Sequence, residues 1–120
     1  MKVQLAPLFA VLTLTGFAQP ANLGHIDFPT SGSRQAQEHF IKGVLLLHSF
    51  EYDDSREEFQ AASKLEPGFA MAYWGEALTY THPVWVEQDV ASARAALQRL
   101  APTPEARAAD STYWYGVLYF

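Results

Sequence analysis

The feature that most constrains this chain is a period of 34 residues. Gly43 stands three residues before Leu46, and 34 residues later Ala77 stands three residues before Tyr80. In the same register Phe40 falls on Trp74, Leu47 on Thr81 and His48 on His82. Ser55, Phe59, Ala62 and Pro67 follow the first set at fixed offsets. Helix pairs recurring at such a period are the mark of stacked helical hairpins. Small residues at Gly43, Ala62 and Ala77 allow helix axes to approach to about 8–10 Å, and large ones at Phe59, Tyr80 and Leu97 fill the gaps between layers. One hairpin cannot bury its own apolar face, so the units must stack.

Local patterns agree with an all-α chain. From Ser33 to Phe50, apolar residues at Phe40, Ile41, Val44, Leu45 and Leu47 form one broad helical face, with Ser33 as its cap. A second helix opens on Asp53 and Asp54, where Asp54 and Glu57 resemble a capping box, and closes at Pro67-Gly68. The third spans Phe69 to Thr81 and ends at His82-Pro83, because a residue before proline is driven out of the α region. A fourth begins at Asp89, with Val90, Ala93, Leu97 and Leu100 on its inner stripe, and Thr103-Pro104 opens a fifth. No alternating strand pattern is found. Residues 20–33, rich in Pro, Gly, Asn and Ser, read as a loop or extended arm whose Ile26 and Phe28 tuck against the first helix.

Residues 36–69 resemble the tetratricopeptide repeat, with Gly43, Ser55, Phe59, Ala62 and Pro67 at its signature positions and His39 and Leu46 as departures from its Trp and Tyr. A second unit fits 70–103 if His82-Pro83-Val84-Trp85 is an insertion in its turn, and a partial third covers 104–120. The strings LLHSFEYDDSREEF and MAYWGEALTYTHPVW resemble a group of exported bacterial tetratricopeptide-repeat proteins, usually much longer, of unassigned biochemical role. The resemblance implies an antiparallel helix-hairpin solenoid over 34–120, about two and a half repeats. It also implies a concave groove lined by the first helix of each pair. In this chain those positions are Gln37, Phe40, Val44, Leu47 and His48, then Met71, Trp74, Leu78, Thr81 and His82, then Tyr113 and Val117. Trp85, on the inserted turn, is expected to fold onto Trp74 or Tyr80 and close one end. The expected occupant is a peptide or protein partner. Against a binding role stands ordinary burial, which for a Phe or Leu side chain is worth about 1.5–3 kcal/mol and is the default for Tyr73, Tyr80 and Phe59.

The amino terminus adds a destination. Lys2, an apolar run from about Leu5 to Leu14, and small residues at Gly16 and Ala18 have the layout of a signal peptide over residues 1–18. The run is shorter than the roughly 20 residues that span a bilayer, so no stable membrane insertion is expected after cleavage. Export to the periplasm or beyond follows, and loss of Lys2 takes the net charge of −5 to −6. An uncleaved anchor is the rival reading.

Several chemistries lack their residues. The absence of cysteine excludes disulfides, thiolate zinc and cysteine nucleophiles. The eight Lys and Arg are scattered, which argues against nucleic acid. There is no GxSxG, and Ser49 and His48 are neighbours that point apart on a helix, so no enzyme activity or cofactor is expected. His48 and His82 are in phase, and with Glu51, Asp53 or Glu76 they form the alternative of a metal or small-molecule site beside Trp74; helix-end histidines capping carbonyls are the commoner outcome. The run EYDDSREE is a solvated helix start. The apolar ending STYWYGVLYF predicts a following repeat, a partner or another copy. Another possibility is that the chain is the scaffold segment of a longer enzyme or binding protein truncated at residue 120.

Overall fold

The computed structural model describes residues 22–108. The signal-like segment and the end of the partial third unit, including Tyr113 and Val117, lie outside the described residues. Five helices occupy the described chain: α1 (Arg34–His48), α2 (Tyr52–Leu65), α3 (Ala70–Leu78), α4 (Val90–Leu100) and α5 (Pro104–Ala108). A two-stranded antiparallel ribbon, β1 (Thr81–His82) and β2 (Glu87–Gln88), joins α3 to α4. The described chain is thus all-α apart from four ribbon residues. No described helix is long and apolar enough to cross a membrane.

Successive helices run antiparallel, as their cross-links show. Between α1 and α2, the Ser33 amide donates to Glu66 at 2.7 Å, His39 meets Glu58 at 2.6 Å, and the Ser55 hydroxyl donates to the Gly43 carbonyl at 2.8 Å. As one number rises its partner's falls. The same holds for α2 on α3, where Arg56 donates to Thr79 at 3.0 Å and Gln60 donates to Glu76 at 3.0 Å. Between α3 and α4, the Asp89 amide donates to the Tyr80 carbonyl at 2.9 Å and Arg99 reaches back to Glu76. Short turns between the first three helices leave the chain little alternative.

Phe59 is the wedge that sets the spacing. It is fully buried and lies 5.7 Å from the Phe40 ring. A Cβ on Gly43 would stand 2.8 Å from the edge of its ring, and one on Gly75 would stand 2.3 Å from the same edge. Two helices therefore present bare backbone to one aromatic edge, and any side chain there would force them apart. Phe40, Phe59, Phe69, Met71 and the small residues Ala36, Ala62 and Ala72 form the core around it. Burying each of the three rings contributes about 1.5–3 kcal/mol.

Several expected boundaries hold and others move. Ser33 caps α1 by accepting from the Ala36 amide, Asp89 caps α4 by accepting from Ser92 at 3.0 Å, and Thr103 accepts from Ala106 at 3.2 Å beside Pro104. The capping box expected at Asp54 is not formed: α2 starts at Tyr52 with Glu51 as its cap residue, and no side chain caps it. The tight α1–α2 turn, with Phe50 at φ 64°, starts the helix before the acidic pair is reached. Helix α3 ends at Leu78 rather than Thr81, because Thr81 and His82 pair with Gln88 and Glu87. On α4, Ala96 rather than Val90 is the deepest residue, and Val90 stays 41% exposed where the helix emerges from the ribbon.

Candidate functional site

The groove positions divide between interior and surface. Phe40 (0% exposed), Val44 (5%) and Met71 (4%) are buried, so their side chains do not line an open groove. Leu47, Trp74, Leu78 and His82 are half-buried, while His48 and Trp85 are exposed. Trp74 packs against the core, and its buried indole nitrogen has no hydrogen-bond partner among the described residues.

What covers Phe40 is the segment before α1. Along it, Ile26, Phe28 and Thr30 are half-buried, while Asp27, Pro29 and Ser31 are exposed. Burial that alternates with period two is the signature of an extended chain lying on a surface. Phe28 sets its ring edge-on to Phe40 at a centroid distance of 5.3 Å, and Ile26 packs against the same core. Gln37, one turn before Phe40 on α1, clamps the segment: its amide nitrogen donates to the Phe28 carbonyl at 2.6 Å, and its amide oxygen accepts from the Thr30 hydroxyl. The segment is anchored at its end by Gly32, where a Cβ would stand 2.8 Å from the Phe69 ring, and by the Ser33–Glu66 bond.

A second cluster sits where the α1–α2 turn meets the ribbon. His82 stacks on Tyr52 at 4.1 Å, and Trp85 turns its ring edge-on to Phe50 at 6.0 Å and to Tyr52 at 6.1 Å. Trp85 thus packs with the first hairpin's turn, not with Trp74 or Tyr80, because the ribbon carries the inserted residues to that end. It remains 56% exposed, beside Phe50 at 54%. Val86, in the ribbon turn, adopts φ 57°, a costly value for a β-branched residue. A shallow cleft next to the cluster is lined by Arg56, Tyr80, His82, Glu87, Gln88 and Asp89, with the Arg56 guanidinium 4.4 Å from the centre of the Tyr80 ring.

Several titratable groups are committed to structural pairs. Glu76 is fully buried and accepts from Arg99 through both oxygens and from Gln60. The hydrogen bond to that carboxylate raises the Arg99 pKa further, outweighing burial. Burial alone would raise Glu58, but the hydrogen bonds and charges of Lys42 and His39 together hold its carboxyl below the usual range. Hydrogen bonds from Ser92 lower Asp89. His82 meets the Thr79 carbonyl at 3.0 Å with one ring nitrogen and Glu87 at 3.4 Å with the other, and His48 is exposed at the end of α1. With Glu76 engaged by Arg99, no three metal-ligating side chains converge among the described residues.

Sequence reasoning named Gln37, Ile26 and Phe28 without the clamp that joins them, and did not assign Thr30, Phe50, Tyr52 or Arg56. The alternation in Ile-Asp-Phe-Pro-Thr was the available signal for the extended segment. Neither protein-family models, curated proteins nor solved structures include a match to this chain.

Proposed function

We propose that this chain is a helical-repeat recognition module of an exported protein, which holds an extended peptide or a protein partner along α1 and α3 and performs no chemistry itself. The 34-residue period, the antiparallel order of α1 to α4 and the Phe59 wedge between two glycines favour the tetratricopeptide-like architecture. The signal-like amino terminus favours export. One observation carries the binding role: an extended segment already lies on α1, held through its main-chain carbonyl by Gln37 and through an aromatic side chain on Phe40. Main-chain bonds with side-chain seats on alternate residues are how extended peptides are recognised.

The test is selection of peptides from a random library on the full-length chain carrying Phe28→Ala, followed by 15N chemical-shift mapping. Selected peptides are expected to shift Gln37, Ile41 and Trp74. Failure to select any peptide, or shifts confined to other faces, would count against the proposal.

A further inference from the structure

We infer that Ile26–Thr30 is a built-in pseudoligand, and that the partner displacing it is an extended peptide of the pattern aliphatic–x–aromatic–x–Ser/Thr. The inference rests on the reading of α1 and α3 as a peptide-binding face, and it adds the ligand's chemistry and the gate.

The pattern comes from what each position touches. Gln37 grips a carbonyl and a hydroxyl, which any extended chain with Ser or Thr two residues beyond the gripped carbonyl supplies. Phe40 selects an aromatic residue at the gripped position, since edge-on ring pairs favour aromatics over other apolar side chains. The residue two before it packs on the core beside Phe40, where Ile26 now sits. The intervening positions, held by Asp27 and Pro29, face outward and are free to vary.

The same geometry makes the segment removable. Its fixed point is Gly32-Ser33, pinned by Phe69 and Glu66. Upstream of that point its described polar links to α1 all pass through one side chain, Gln37. A tethered competitor this close to its seat acts at an effective concentration on the order of millimolar. An incoming peptide therefore binds with an affinity reduced by the fraction of time the seat is free. The reduction is about the ratio of that concentration to the segment's own dissociation constant, roughly tenfold to a hundredfold for a segment that holds its seat with an intrinsic Kd of about 0.1–0.01 mM.

The experiment uses the full chain and a fluorescein-labelled peptide of its own residues 22–32, Asn-Leu-Gly-His-Ile-Asp-Phe-Pro-Thr-Ser-Gly. Anisotropy titrations compare wild type with Phe28→Asp and Phe28→Ala, and far-UV circular dichroism checks that the helices persist. The expected result is binding about tenfold or more tighter in the variants than in wild type, abolished when the peptide itself carries Asp in place of its Phe. Equal affinity in wild type and variants overturns the inference, as does no binding to a folded variant. If Phe28→Asp loses its helices, Phe28→Ala decides by the same criterion. Library-selected peptides that map to α1 yet bind wild type and variant alike would sink the gate and leave the recognition role standing.

Discussion

Replacing Gly75 by alanine tests the packing on which the fold depends. On local grounds the change should stabilise α3, because glycine in a helix interior is about 1 kcal/mol worse than alanine. Against that, the new Cβ would lie 2.3, 2.5 and 2.6 Å from three atoms of the Phe59 ring. The ring cannot swing aside: it is fully buried, packs against Phe40, and has the same edge against Gly43. Overpacking of this kind costs about 1–3 kcal/mol, and three sub-contact distances place it at the upper end. The net expectation is a loss of about 2 kcal/mol, or roughly 8–16 °C in Tm for a domain of this size. Urea titration followed by circular dichroism measures it. Gly43→Ala, whose nearest approach is 2.8 Å, should cost less. Trimming the wedge with Phe59→Leu should recover part of the Gly75→Ala loss as a coupling term in a double-mutant cycle. A Gly75→Ala chain as stable as wild type, or more so, would refute the wedge.

Three further outcomes rest on individual contacts. Arg99→Ala strands the Glu76 carboxylate in the core with Gln60 alone; the chain should lose about 2–4 kcal/mol by chemical denaturation, less than a fully buried pair would because Arg99 is half-exposed. Glu58, with its folded pKa held below the unfolded value, contributes stability that is complete above the ordinary carboxylate value and is lost as pH falls through the folded one. Thermal scans from pH 6 to pH 3 should therefore show a shallower decline for Glu58→Gln than for wild type. Asp89→Ala removes the α4 cap and should lower the midpoint of chemical denaturation, whereas Asp54→Ala, on a helix whose cap lies elsewhere, should leave it close to that of wild type.

The helices were largely legible from the sequence because their signals are local. Ser33, Asp89 and Thr103-Pro104 each cap the helix that begins next to them, and the apolar spacing of α1 survives in its burial. What was not legible depends on distant partners. Gly75 reads as a weak helix residue until Phe59 is known to press on it, and the 34-residue register pairs Gly43 with Ala77 instead. The Glu76–Arg99 pair spans 23 residues with no motif to announce it. The β1–β2 ribbon has two residues per strand, too few to show an alternation. Phe40 carried the pattern of a groove residue and is buried partly because Phe28 covers it, which a reading of the helices alone does not foresee.

The most direct measurement is a set of nuclear Overhauser contacts in the labelled full-length chain. With no peptide present, cross-peaks are predicted between the Phe28 and Phe40 rings and between the Gln37 side-chain amide and Phe28. On saturation with an aliphatic–x–aromatic–x–Ser peptide these should vanish, replaced by intermolecular contacts from the peptide's aromatic ring to Phe40. Absence of the Phe28–Phe40 contacts in the free chain, or their persistence in the saturated one, would contradict the account.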